Sequence, residues 1–238
     1  MSAFMRFFHI ILWKPMFNIL VVFYLLTGNL GIAIILLTLL VRLILYPMQN
    51  KASKSQIEMQ KIQPKIKELQ TKYKNDKETQ TKEILALYKE YNINPFSSFP
   101  TLFIQLPVFI ALFNMFRQGI NQETLQFLYK FIPMPTGEIN NVFLGIDLTQ
   151  PSILLAVLVG VLFFLQMKLS ATTPYPKDKS KKTDFGTMMQ KQMQYLFPIL
   201  IAWAIAASPA ALGLYLVVGT IFLIIQQHFV KKRLQENV

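Results

Sequence analysis

Residues 30–48 form an apolar run long enough to cross a lipid bilayer, and Arg42 is the one charged residue within it. About 20 apolar residues in an α-helix span a bilayer core of about 30 Å. An arginine inside such a helix costs from about 2.5 to more than 10 kcal/mol, depending on how far water and lipid deform around it. The run therefore indicates a membrane helix whose single cation needs an explanation.

The composition supports a membrane protein without a cofactor. Hydrophobic residues make up 53% of the 238 residues, yet the formal net charge is +12. These properties oppose each other in a soluble domain, but they coexist when apolar runs lie in lipid and lysines lie in water. The chain has no cysteine, which excludes disulfides and thiolate metal sites. Its two histidines, His9 and His228, are far apart in sequence, so we expect no metal.

Further apolar runs predict an all-α membrane protein with five transmembrane helices. The predicted spans are 30–48, 96–116, 152–167, 195–207 and 210–229. The last two spans meet at Ser208 and Pro209, which leave room only for a tight turn, so we expect them to form a membrane hairpin. The third and fourth spans are short for a normal bilayer.

The distribution of the cations predicts the orientation of the chain in the membrane. Of the 24 basic residues, 19 lie in the segments 50–95 and 168–191 and in the tail that begins at residue 230. By the positive-inside rule, 49–95, the loop 168–194 and the tail 230–238 are cytoplasmic, and the loop 117–151 is external. The amino terminus is then outside and the carboxyl terminus inside, as an odd number of spans requires.

The amino-terminal segment, 1–29, is predicted to be a helix that lies in the external interface of the membrane. Its apolar stretch, FNILVVFYLL, is too short to span and is followed by the glycines of TGNLG. Trp13 and Lys14 are residues typical of the headgroup region. A signal-peptide core is disfavoured because no small-x-small cleavage site follows it. A sixth span is the remaining alternative.

The segment 49–95 is predicted to form an antiparallel helical hairpin in the cytoplasm. Apolar residues recur at helical spacing before and after a turn near Asn75 and Asp76, and Pro64 is expected to kink or restart the first helix. Its lysines serve solubility and topology, or they contact anionic lipid headgroups or the RNA and acidic proteins of a ribosome. No motif of a sequence-specific nucleic-acid reader is present.

Arg42 has two interpretations. Its side chain reaches the cytoplasmic headgroups by snorkelling, or it faces a water-filled cavity among the spans. Thr38, one turn away on the same face, and the polar residues Gln105 and Asn114 of the second span favour a cavity. Each of these three side chains also has a simpler role, which is a hydrogen bond to a neighbouring helix.

The chemical groups that the sequence lacks narrow the range of functions we expect. None of the five predicted spans contains an aspartate or a glutamate, so a carboxylate proton relay or sodium site is not expected. The sequence also has no nucleophile motif and no glycine-rich phosphate loop. We therefore do not expect an enzyme, and a solute or ion transporter is the less favoured alternative.

Several motifs, taken in order, resemble the YidC membrane protein insertases and their mitochondrial and thylakoid relatives. GNLGIAIILLTLLVRLILYPM is similar to the first core span of that family, with its groove arginine at Arg42, and NPFSSFPTLFIQLPVFIALFNMF to the second, with its groove glutamine at Gln105. FLGIDLTQPSILLAVLVGVLFFLQ resembles the external loop and third span, and SPAALGLYLVVGTIFLIIQQ the final element. The chain departs from the pattern at SSF, Ala211 and Leu216, and at Gly219 and Thr220, where the family has Ser-Asn.

The resemblance implies a short-form insertase of the bacterial inner membrane, without the large external domain of Gram-negative members. Such a protein holds the hydrophilic flank of a nascent segment in a polar groove and releases the segment into lipid, alone or with a Sec-type translocon. The groove residues implied here are Arg42, Gln105, Thr38, Asn114 and Tyr215. The implied partners are nascent membrane proteins, a translocon, membrane lipids and the ribosome. A non-catalytic assembly scaffold or chaperone is a further alternative.

The predicted topology is testable by labelling. Cysteines introduced at Lys77 and Lys181 should react only with a reagent on the cytoplasmic side, and a cysteine at Thr136 only with one outside. The absence of native cysteine makes each label specific. Labelling of position 136 from the cytoplasm would contradict the five-span arrangement.

Overall fold

The computed structural model of the chain describes residues 9–94, 99–170 and 185–236, and these residues are mostly helical. Of the loop predicted over 168–194, residues 171–184 fall outside them, and residues 168–170 and 185–194 lie in helices. The helices are α1 (Lys14–Thr27), which follows a π-helical turn (His9–Trp13), α2 (Leu30–Lys72), α3 (Lys77–Glu90), α4 (Phe99–Gln118), α5 (Gln122–Leu125), α6 (Ile153–Ser170), α7 (Phe185–Ala206) and α8 (Ala210–Glu236). The strands are β1 (Val142–Phe143) and β2 (Ile146–Asp147).

Three helical stretches in the described part of the chain are long and apolar enough to cross a membrane. They are His9–Thr27, Leu30–Lys72 and Ala210–Leu234. Two shorter apolar helices, Ile153–Leu169 and Tyr195–Ala206, match the two spans predicted to be short. Helix α4 has 20 residues, with Arg117 in its last turn. The count of five spans stays a prediction.

Helix α2 is one continuous helix of 43 residues, although two separate elements were predicted over this range. It begins at Asn29, whose side chain accepts hydrogen bonds from the N–H groups of the first turn, and it runs through Pro47 and Pro64. Each internal proline removes one backbone hydrogen bond. Ile62 and Ile66, on either side of Pro64, are both buried against α3, and this packing holds the helix together there.

The carboxyl-terminal half of α2 packs against α3 through a small apolar core of its own. Ile62 and Ile66 contact Leu87 and Ile93 in this core. The two helices are joined by residues 73–76, close to the predicted turn, and Asp76 caps α3. Its hydrogen bond from the Thr79 side chain, with those from backbone N–H groups, lowers the pKa of Asp76. The side of the membrane on which this pair lies stays a prediction.

The amino-terminal helix is longer than the apolar stretch of residues 17–26. It runs without a break from His9 to Thr27, and Gly28 ends it with a left-handed conformation at φ 66°. Length alone therefore does not exclude a span here. The helix contacts the segment after α4: the Asn18 amide donates to the Phe127 carbonyl and accepts from the Tyr129 N–H, and Tyr24 accepts from the Asn140 N–H.

Helix α8 lies at the centre of the apolar part and packs against α2, α4 and α6. Helix α6 contacts both α7 and α8, whereas α7 and α8 touch each other little. The chain does turn at Ser208 and Pro209 between α7 and α8, as predicted. The two helices diverge beyond that turn because α6 packs against both of them.

The segment between α4 and α6 contains the two strands found among the described residues. Strands β1 and β2 pair antiparallel around Leu144 and Gly145, which both have positive φ, as a two-residue hairpin turn requires. Farther along, the carbonyls of Leu148 and Gln150 accept hydrogen bonds from the first N–H groups of α8, at 2.9 and 2.8 Å. These N–H groups have no partner within α8, so the segment caps it.

Candidate functional site

Arg42 lies about two thirds of the way along the apolar part of α2, residues 30–48, with its side chain enclosed between helices. It is 12 residues from the start of α2, or about 18 Å along the axis, and only 5% of it is exposed. Its guanidinium lies against Gly219 of α8, where a Cβ atom would be 2.5 Å from Nη2 and 3.0 Å from Nε. A notch in α8 without a side chain therefore makes room for the cation.

A hydrogen-bonded cluster joins three helices at this level. Arg42 Nη1 donates to Gln105 Oε1 of α4 at 3.3 Å, and Gln105 Nε2 donates to the hydroxyl of Tyr215 of α8 at 2.9 Å. We call these three residues the Arg42 cluster. Tyr215 is 1% exposed and Gln105 is partly buried. The cluster combines one positive charge with two neutral groups, of which Gln105 bonds the guanidinium and Tyr215 bonds Gln105.

The guanidinium has more hydrogen-bond donors than the described residues satisfy. It carries five N–H donors, and Arg42 Nε has no partner although it is buried. Within the described part of the chain, Arg42 forms no salt bridge, and no three histidine, aspartate or glutamate residues lie together to hold a metal. An uncompensated buried charge attracts water or an anion. The cluster can therefore bind a polar or acidic group.

Two other predicted site residues do not join the cluster. The Thr38 hydroxyl is buried and donates to the Ile34 carbonyl of its own helix at 2.6 Å. Among the described residues, Asn114 has no hydrogen bond to the cluster. It lies nine residues after Gln105 in α4, or about 13.5 Å along the helix. Geometry thus gathers three of the five predicted groove residues.

Sequence reasoning missed the contact of Gly219 with Arg42. It noted Gly219 only as a departure from a family pattern that has a serine there. The signal lay in that departure, because a residue without a side chain leaves room for a large neighbour. Which neighbour fills the space depends on how α2 and α8 align, and the sequence of one helix does not give that alignment.

Helices α2 and α8 run in the same direction. Arg42 meets Gly219, and farther along both helices the Tyr46 carbonyl accepts from Gln226 Nε2 at 3.3 Å. The order of the two contacts is the same in both helices, so the helices are parallel. The cluster therefore lies closer to the amino-terminal ends of both helices than the contact of Tyr46 with Gln226 does.

Comparison with known proteins identifies the family of the chain. A family model described as 60Kd inner membrane protein matches residues 22–237, which is most of the chain. The chain belongs to this YidC family of inner membrane proteins. Family membership and the apolar helices together make it a bacterial inner membrane protein.

Individual relatives of the YidC family cover most of the chain. A protein named membrane protein insertase YidC from Fusobacterium nucleatum is 32% identical over 206 residues, which are 87% of this chain and 88% of that protein. Proteins of the same name from Francisella philomiragia and Francisella tularensis subsp. novicida are 30% and 32% identical over 210 residues. The chain spans only 34% of the length of those two Francisella proteins.

The notch at Gly219 makes a testable prediction about stability. Gly219→Ala should displace the guanidinium, because the new Cβ would lie 2.5 Å from Nη2. In an Arg42→Ala background the same change should raise stability by up to about 1 kcal/mol, because alanine favours helix more than glycine does. Thermal unfolding of the four proteins in detergent should give a coupling of roughly 0.5–3 kcal/mol.

Gly160→Ala is the matched control for this cycle. Its new Cβ would meet the Ala202 side chain at 3.0 Å, in α7 and away from Arg42. Its effect should be the same with and without Arg42. Equal effects of Gly219→Ala in both backgrounds would show that the notch does not seat the arginine.

Proposed function

We propose that this chain is a membrane protein insertase, which takes nascent hydrophobic segments from the cytoplasm and releases them into the bilayer. The observation that carries the proposal is the Arg42 cluster, a positive charge buried within the apolar part of α2 without an acidic partner among the described residues. Relatives named as insertases over the same stretch of sequence support it.

The cluster would act by lowering the cost of moving a polar flank into the membrane. Burying a polar or charged group without a partner is strongly unfavourable. A guanidinium at about 4 Å attracts a unit negative charge by about 4 kcal/mol in a partly screened site. Gln105 and Tyr215 add neutral hydrogen-bonding groups beside the charge. Thr38 and Asn114 remain proposed members of the same groove, farther toward the outside.

Release into lipid would use the apolar surface beside the cluster. Phe103, Leu106 and Ile110 of α4 are all exposed and recur at spacings of three and four residues, so they form one apolar stripe. The stripe lies on the helix that carries Gln105. The short apolar lengths of α6 and α7 would thin the bilayer locally and shorten the distance that a flank has to cross.

The paired ends of α2 and α3 would receive the substrate in the cytoplasm. Lysines cover this pair, and two of them form salt bridges at the surface, Lys54 with Glu58 and Lys82 with Glu78. A basic surface suits anionic lipid headgroups and the ribosome. A Sec-type translocon is the other proposed partner. We propose no sequence-specific binding of nucleic acid.

The proposed topology keeps the amino terminus outside and the carboxyl terminus in the cytoplasm, with helix α1 in the external interface. Contacts between α1 and the segment after α4 support this placement. They begin at His9, whose ring packs on Phe127, and continue to Tyr24, whose hydroxyl accepts from Asn140. A segment with many polar backbone groups does not follow a helix across lipid, so both would lie at the surface.

The decisive experiment measures insertion of single-span substrates into liposomes that contain only this protein. Arg42→Ala should reduce insertion of a substrate with an acidic translocated tail by tenfold or more, and much less with a neutral tail, because the charge attraction is lost only for the former. Arg42→Lys should retain much of the activity, since it keeps the charge. Insertion is normalised to the amount of protein in the membrane.

Arg117→Ala is the matched control, because this arginine is exposed at the end of α4. It should leave insertion of both substrates unchanged. An equal loss for both tails in Arg42→Ala would rule out direct pairing with the tail. Solute flux without any substrate protein would favour the transporter alternative.

The receiving role of the helix pair has its own test. Replacing residues 70–80 by a short glycine linker removes the tip but retains the apolar core of Ile62, Ile66 and Leu87. The protein should still accumulate in the membrane, while crosslinking to ribosome-bound nascent chains should fall. Loss of the protein itself would show that the pair is needed for folding and not for capture.

A further inference from the structure

A second group of polar side chains lies between α2 and α8, farther along both helices than the Arg42 cluster. Gln49 of α2 and Gln226 of α8 are each 3% exposed. Both polar atoms of the Gln49 side chain lack a hydrogen-bond partner, as do Gln226 Oε1 and Asn50 Oδ1, and all four atoms are buried. Such atoms cost about 1–3 kcal/mol each when nothing bonds them, so their presence calls for a partner.

The geometry brings these side chains onto one face of α2. Gln226 reaches across from α8 and donates to the Tyr46 carbonyl at 3.3 Å. Gln49 and Asn50 follow Tyr46 by three and four residues, which places all three on the same face, one turn apart. The side chain of Gln226 therefore contacts α2 at the helical turn that carries the other two amides.

The free atoms favour hydrogen-bond donors as ligands. Three of the four are carbonyl oxygens, which accept, and the fourth is the Gln49 amide nitrogen, which donates. None of the groups is charged, so the site has no preference for an anion. A peptide group matches this set, since its N–H donates and its C=O accepts.

The site lies at a distance from Arg42 that one extended segment would cover. Gln49 follows Arg42 by seven residues, or about 10.5 Å along α2. An extended chain rises about 3.3 Å per residue, so this distance corresponds to about three residues. A chain with its flank at Arg42 would thus present its backbone to Gln49 and Gln226.

We propose that Gln49, Asn50 and Gln226 form a second substrate site, which binds the peptide backbone of an entering segment in extended form. The inference rests on the proposed function, and it adds the part of the substrate that this site recognises. Arg42 would contact the polar or acidic side chains of the flank, whereas the amides would contact the backbone, which is the same in every substrate.

The test uses the full chain in liposomes and compares Gln49→Met and Gln226→Met with wild type. Methionine keeps the length and flexibility of glutamine and removes its amide. The substrates are single-span proteins with a neutral flank of alanines or a matched flank that contains three consecutive prolines, which have no N–H to donate. Gln56→Met is the control, because Gln56 lies seven residues after Gln49 in α2 and is exposed.

Both buried variants should insert the alanine-flanked substrate about twofold to tenfold less than wild type, the range expected for a lost hydrogen bond. Their ratio to wild type should return to near one with the proline flank. The thermal stability of Gln49→Met should be unchanged or higher, since an unpaired buried amide is gone, whereas Gln226→Met also loses the hydrogen bond to the Tyr46 carbonyl. Gln56→Met should match wild type with both substrates.

Three results would overturn the inference. If Gln49→Met and Gln226→Met insert the alanine-flanked substrate as well as the wild-type protein does, the amides do not contact the substrate. An equal loss with the proline flank would show that they bind only water. If the wild-type protein inserts neither substrate, both this inference and the proposed function fail. If Arg42→Ala has a tail-dependent defect while Gln49→Met inserts normally, only this inference fails.

Discussion

The contact between the Arg42 guanidinium and the bare backbone of Gly219 is the interaction on which the arrangement of the spans depends. A cation inside the apolar layer is tolerated only where protein surrounds it and polar groups bond it. Gln105 of α4 accepts from the guanidinium and in turn donates to Tyr215 of α8. The positions of α2, α4 and α8 are therefore linked through one side chain, and the charge explains why these three helices meet at that depth.

A second constraint acts at the amino-terminal ends of α2 and α8. The first N–H groups of α8 have no partners within the helix, and the carbonyls of Leu148 and Gln150 accept from them. Nearby, Phe143 lies so close to Gly31 that a Cβ atom there would be 2.3 Å from its ring. The segment between α4 and α6 thus holds the starts of α2 and α8 side by side, while Arg42 and Gly219 hold the two helices together farther along.

Much of the fold followed from the sequence because membrane helices are read from composition and length. The long apolar runs of α2 and α8, the turn at Ser208 and Pro209, and the turn before α3 all lie where the pattern predicted. The continuous course of α2 through Pro64 did not follow, since a proline breaks a helix unless tertiary packing holds its two sides, and that packing involves α3.

The candidate site was also predictable only in part, because it depends on packing between helices that are distant in sequence. Arg42 and Gln105 stand out as polar residues in apolar runs, and the structure joins them by a hydrogen bond. Gly219, Gln49 and Gln226 carry no such signal singly, because their importance comes from the parallel alignment of α2 with α8. Contacts between distant helices depend on their relative rotation and height, and a local pattern contains neither.

The unbroken course of α2 has a mechanical consequence. A helix of 43 residues is about 65 Å long, so one rod extends from the turn at Asn29 to Tyr73, well beyond the apolar run of residues 30–48. A hydrogen-bonded helix resists stretching and twisting, and the missing bonds at Pro47 and Pro64 are the points where it yields most easily. A torque applied near Tyr73 would be carried along the rod toward Arg42, with Pro47 as the last compliant point before the buried charge.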